Sequence, residues 1–170
     1  VNEWGYISDN ESRMYSHAFA TLFLAEIYGQ TRRRDVRDAL QKSVNLIVDS
    51  QNTEGGWRYR PFARQSDMSI TVCQVIALRS ARNVGITVPK RTIEDATKYV
   101  RRSAVQDGYR RRRAFRMNYG DEGGAFRYQL GRYSRATFSL TSAGVTALHA
   151  AGYYDLPEVQ RGIDFLSERL

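Results

Sequence analysis

The chain has 170 residues, 42% of them hydrophobic, and carries a net charge of +8. That is one domain's length, enough to bury a core, and no run approaches the ~18 apolar residues of a membrane span. One cysteine, Cys73, excludes an intrachain disulfide framework, and the basic charge, nearly all arginine and spread over several segments, reads as a solvated surface.

Val1-Asn2-Glu3-Trp4 has neither the basic start nor the apolar stretch of a signal peptide. It also lacks an initiating Met, so the segment reads as part of a longer chain, and localisation stays unread. Residues 1–13 are polar and irregular, with Trp4 and Tyr6 as anchors.

The first helix is expected from Met14 to Tyr28, apolar nearly all round and closed by Gly29. The second, about Asp35 to Ser50, has a single stripe of Val36, Leu40, Val44, Ile47 and Val48 among polar residues. Gly55-Gly56 frees the backbone for a turn. Ser66 or Asp67 caps a third helix that is again apolar on most faces and ends near Asn83. Pro89 opens the fourth, striped by Ile93, Ala96, Tyr99 and Val100.

Residues 105–134 lack periodicity and hold Arg110–Arg113. A loop of that length in a compact domain is often functional. The fifth helix, about Arg135 to Ala151, is rich in small and apolar residues, and the sixth runs from Pro157 to Leu170.

Apolar helices thus alternate with amphipathic ones, the pattern of an inner and an outer layer. The spans His17–Leu24, Thr71–Leu78 and Thr141–Leu148 align, and an aromatic-x-Tyr unit stands ahead of each: Trp4-Gly5-Tyr6, Trp57-Arg58-Tyr59 and Phe126-Arg127-Tyr128. This predicts an all-α single domain, three helix hairpins in two layers over about 1–52, 53–104 and 105–170.

Gln51-x-x-x-Gly55-x-Trp57, with Thr71 and Ala77-Leu78 downstream, resembles the Q-x-x-x-G-x-W repeat of squalene and oxidosqualene cyclases. The repeat is found more loosely in protein prenyltransferase β subunits. The resemblance implies a partial α/α toroid in which Gln51 and Trp57 clamp helices together. Six helices do not close such a ring, so the open surface is expected to meet the remainder of a longer toroid or a second copy, a homodimer.

The family's chemistry does not carry over residue by residue. Squalene cyclases protonate their substrate from a D-x-D-D-T stretch, and the matching place reads Asp67-Met68-Ser69-Ile70-Thr71. Ser69 and Ile70 stand where two carboxylates are needed, so no strong acid is expected. Asp67 reads first as a helix cap. Prenyltransferases hold zinc with Asp, Cys and His in D-x-C spacing. Asp67 and Cys73 are six apart, and His17 or His149 would have to come from neighbouring helices, so no metal and no cofactor is expected.

No catalytic residue is assigned. The candidates for a pocket mouth are His17, Tyr59, Asp67 and Tyr128, where the aromatic loops return to the inner helix starts; His17 reads equally well as a satisfied helix-start histidine. Tyr109 and Phe115 flank Arg110–Arg113, which is weak evidence for nucleic acid. The expected function is a non-catalytic module binding a partner chain or an apolar ligand. The alternative is an enzyme domain for an isoprenoid-type substrate with catalytic residues outside this segment.

Overall fold

The structure, a computed structural model, describes residues 2–9, 12–105, 123–131 and 134–170. Arg110–Arg113 lie outside the described residues. Among those described, six helices form: α1 (Arg13–Thr31), α2 (Arg34–Asp49), α3 (Met68–Asn83), α4 (Lys90–Ser103), α5 (Phe138–Ala150) and α6 (Pro157–Ser167). There is no strand among them, only isolated bridges pairing Ala104 with Phe126 and Arg127 with Ala136.

The alternation seen in the sequence becomes two layers. α3 packs between α1 and α5, making an inner layer, while α2 lies on α1, α6 on α5, and α4 against α3 and α5. Each outer helix buries one stripe, such as Leu40, Val44 and Ile47 of α2. The inner helices are covered on more sides. One core joins Met14, Ala18 and Ala25 of α1 to Ile70, Ala77 and Ala81 of α3. A second joins Met68 and Val72 of α3 to Leu140, Ala147 and Leu148 of α5. Burying the larger of these, Met14, Ile70, Met68, Leu140 and Leu148, contributes about 1.5–3 kcal/mol each, while the alanines let the helices approach closely.

Two helix starts follow side-chain capping, while α5 starts at Phe138 and not Arg135, α6 ends at Ser167 and not Leu170, and α1 overruns its expected stop. Asp67 caps α3, its Oδ1 accepting from the Ile70 N–H at 2.9 Å, and Thr137 caps α5 by accepting from Leu140 at 3.2 Å. α1 does not stop at Gly29. It continues to Thr31, and Arg32 takes the left-handed position at φ 53°. Arg32 is held there by its guanidinium over the Tyr28 ring and a 3.4 Å bond to the Val84 carbonyl. Gly29 instead permits close approach, since a Cβ there would sit 3.1 Å from Val84 Cγ1.

One contact is made three times. Gly5, Gly55 and Gly124 have φ of +87°, +95° and +88°. A Cβ on any of them would collide with an outer-helix carbonyl, that of Lys42, Asp95 or Arg161 respectively. Two residues further on, a backbone N–H bonds into the next inner helix. Ile7 donates to His17 Nδ1 at 3.2 Å, Trp57 to Thr71 Oγ1 at 3.2 Å and Phe126 to Thr141 Oγ1 at 3.1 Å. His17, Thr71 and Thr141 are therefore equivalent positions.

The same contact corrects the first aromatic unit. Ile7, not Trp4, stands where Trp57 and Phe126 stand, and Trp4 is 74% exposed. The cause is loop length: Gly5 precedes His17 by twelve residues, whereas Gly55 precedes Thr71 by sixteen. Gln51 Nε2 donates at 2.8 Å to both the Gly55 and the Thr92 carbonyls, tying the end of α2 to the loop and to α4. Trp57 is buried and donates its indole N–H to the Ile47 carbonyl at 2.7 Å.

Candidate functional site

The site forms where two aromatic-bearing loops return to the starts of α1 and α3. The Tyr59 carbonyl accepts from the Met14 N–H at 3.1 Å, and the Tyr128 carbonyl accepts from the Met68 N–H at 2.8 Å. Each loop thereby satisfies an otherwise orphaned donor in a helix's first turn. It also brings its tyrosine to the N-terminal end of the inner helices. The Tyr59 and Tyr128 hydroxyls bond to each other at 2.7 Å, and the Tyr15 ring meets Tyr59 edge-on at 5.9 Å.

Below these rings lies Asp67, fully buried. Its Oδ1 accepts from the Ile70 N–H and, at 2.7 Å, from Ser69 Oγ, which in turn accepts from the Tyr15 hydroxyl at 2.7 Å. Oδ2 has no hydrogen-bond partner. Burial raises the Asp67 carboxyl above its usual range, against the lowering influence of the Ile70 N–H, Ser69, Arg58 and Tyr128. Burial likewise raises Tyr15, Tyr99 and Tyr128; Tyr128 is pushed further by its bond to Tyr59 and by the Asp67 charge. Arg135 lies over the Tyr128 ring at 5.4 Å, and the Tyr99 hydroxyl reaches the Tyr128 carbonyl at 3.5 Å.

Of the four residues expected at a pocket mouth, Tyr59, Asp67 and Tyr128 come together. His17 is held in a different set of contacts. It is fully buried, with Nδ1 accepting from Ile7 and Nε2 donating to the Ser43 carbonyl at 3.1 Å. Both nitrogens are used, which fixes the neutral tautomer, and burial lowers its pKa from 6.5 to about 4. It is the satisfied histidine of the alternative reading, placed by its equivalence to Thr71 and Thr141. The structure adds Tyr15 and Ser69, which sequence reasoning passed over. Ser69 was visible only as a missing carboxylate, although a serine two residues after a cap aspartate is placed to bond it.

The hypothetical zinc set does not converge. Cys73 Sγ bonds to the Ser69 carbonyl at 3.2 Å, and burial raises its thiol pKa. His149 packs on Tyr154 at 5.3 Å. Among the described residues no group of three or more His, Cys, Asp or Glu side chains has the geometry to hold a metal ion.

No protein-family model matches the chain, and no curated protein matches it. Among solved structures it is similar to Candida albicans protein geranylgeranyltransferase-I complexed with GGPP, at a TM-score of 0.63 and 15% identity over 94% of this chain. This fold is an α/α toroid. The likeness is one of fold, and the chain spans only 41% of the length of that transferase chain. Among the described residues no helix is long and apolar enough to cross a membrane.

Proposed function

We propose that this chain is a binding module, a partial toroid of three cyclase-type hairpin repeats over about 1–52, 53–104 and 105–170. Its concave face takes an apolar ligand and its edge takes a partner chain. The observation that carries this reading is the state of Asp67. Its carboxyl is buried and its Oδ1 is committed to the α3 cap, and Ser69 and Ile70 supply no second carboxylate. A strong acid needs such a neighbour. Leu22, Cys73, Ile76 and Ala143 are partly exposed and apolar, which supplies the kind of surface this reading needs. The tyrosine hydroxyls at their mouth suit a polar end group on the ligand.

The second reading, an enzyme domain for an isoprenoid-type substrate, is favoured by one observation. A solved structure sharing the fold is a protein geranylgeranyltransferase, described in complex with GGPP. The second reading places its catalytic residues outside this segment, so the test uses this chain alone and within any longer chain that contains it: titration with farnesol followed by tyrosine fluorescence, and product analysis after incubation with GGPP or squalene. The binding module gives saturable binding that Tyr59→Ala and Tyr128→Ala weaken, and no product from either chain. Product formation by either chain would overturn it.

A further inference from the structure

The loop between α2 and α3 holds one residue that the needs of the fold do not explain. Phe62 has φ 59°, in the left-handed region, and is 67% exposed. Glycine takes that conformation freely and asparagine takes it readily, whereas a bulky ring there is an outlier. Phe62 also belongs to none of the hydrophobic cores. Backbone strain and an apolar ring in water thus fall on the same side chain.

The rest of the loop is tied down. Asn52 Nδ2 donates to the Ala63 carbonyl at 3.0 Å, the Ser66 N–H donates to Glu54 Oε2 at 2.6 Å, and Ser66 Oγ donates to Asn52 Oδ1 at 2.8 Å. Arg58 bonds the Gln65 side chain, and Phe62 lies midway between these two residues. Strain that the surroundings hold in place points to a use for the strained group. The charge nearby has one sign. Arg60 and Arg64 flank Phe62 and are exposed, Arg58 is half-buried, and Arg135 lies over the ring of Tyr128, whose hydroxyl meets Tyr59 of this loop. None of these four arginines makes an ion pair among the described residues. Residues 55–66 contain no acid. Of the acids that bracket them, Glu54 is used by Ser66 and Asp67 is buried.

We infer that this loop docks the module on an anionic lipid surface, with the Phe62 ring below the phosphates and Arg60 and Arg64 among them. A ring set between arginines suits that boundary, because the ring leaves water while the guanidiniums stay at headgroup level. A nucleic-acid strand would stack on several rings, and this loop largely exposes one. A protein partner would need a broad matching patch, and the loop offers a single projecting side chain. The loop belongs to the middle hairpin, since α3 packs between α1 and α5. It therefore lies away from the edges that further repeats would extend. Docking there goes beyond the ligand reading and does not depend on it.

Co-sedimentation with phosphatidylcholine vesicles containing about one-third phosphatidylglycerol tests it, using this chain and any longer chain that contains it. Wild type is expected to bind these vesicles and to bind pure phosphatidylcholine far more weakly. Phe62→Ser should weaken binding about tenfold or more, and Arg60→Glu with Arg64→Glu about thirtyfold or more. A chain of net charge +8 attracts anions wherever its charges lie. Arg34→Glu with Arg82→Glu, equal in charge change and exposed at the opposite helix ends, is therefore the control and should weaken binding far less. Phe62→Trp should gain fluorescence that brominated lipid quenches. Phe62→Gly relieves the left-handed strain, so its urea midpoint should hold or rise while docking is lost. Equal losses from the two arginine pairs, a Trp at 62 untouched by brominated lipid, or a Phe62→Gly chain less stable than wild type overturns the docking loop. Phe62-dependent binding of oligothymidylate or poly-glutamate in place of vesicles overturns it too, as does a Trp at 62 already buried in a longer chain without lipid. Tyr59→Ala and Tyr128→Ala should lower farnesol binding and leave docking in place, so the two readings fail separately.

Discussion

Asp67 decides between a cap and a catalyst, and two substitutions separate the roles. Asp67→Asn keeps an Oδ1 acceptor for the Ile70 N–H and Ser69, and Asn caps helices as well as Asp. It also removes a buried carboxyl whose pKa lies above the usual 3.8. Because the native pKa is raised, the folded protein holds its proton longer than the unfolded chain, so wild-type stability falls as pH rises from about 3.8 through the native value. At pH 7 Asp67→Asn should therefore be as stable as wild type or more so, and it should lack that fall. Asp67→Ala loses the cap, and with it the only side-chain acceptor shown for the buried Ile70 N–H, at about 1–3 kcal/mol. That is a large part of the roughly 5–15 kcal/mol of a domain. Urea unfolding followed by circular dichroism at pH 4 and pH 7 reads both, with farnesol binding measured alongside. Asp67→Asn that folds as wild type but destroys activity on an isoprenoid substrate would refute the cap-only role. Asp67→Asn as unstable as Asp67→Ala would refute the hydrogen-bond assignment.

His17 gives the opposite pH response. Its pKa falls from 6.5 to about 4, so stability is full above 6.5 and is lost as pH drops through that window, by about 3 kcal/mol at 1.36 per unit; a flat urea midpoint between pH 7 and pH 4 in an Asp67→Asn background would refute it. Gly55→Ala drives a Cβ into the Asp95 carbonyl at a φ of +95°, and a loss of several kcal/mol is expected in thermal or urea unfolding, with about 1–3 from the backbone alone. Tyr59→Phe and Tyr128→Phe each remove the shared 2.7 Å bond, at about 1 kcal/mol apiece, and the double variant should cost less than the sum.

The helices and their layering were legible because helical periodicity records which faces are covered. Ala18, Ala25, Ala77 and Ala81 are apolar because inner helices press on each other there. The register of the first unit was not legible. Trp4-Gly5-Tyr6 matches Trp57-Arg58-Tyr59 as letters, but what is repeated is the glycine against a carbonyl and the N–H two residues later. Backbone contacts of that kind leave no side-chain signature at Ile7. The site was half legible. Tyr59 and Tyr128 follow from repeat position, but the Tyr15–Ser69–Asp67 chain of bonds joins residues 54 apart and depends on how α1 lies across α3.

The same equivalence explains why the three units differ in robustness. Thr71 and Thr141 accept the incoming N–H with a hydroxyl that does not titrate, whereas His17 accepts it with a nitrogen that protonation removes. The loop of residues 2–9 is tied to α1 through that nitrogen and to the end of α2 through the approach of Gly5 to Lys42. Protonating His17 severs the first tie and charges a fully buried ring, so acid should release this loop before the loops held by threonine. Hydrogen exchange reads the release: at acid pH the Ile7 amide should exchange well before those of Trp57 and Phe126, and an Ile7 amide that stays as protected as theirs through pH 4 would refute the ordering.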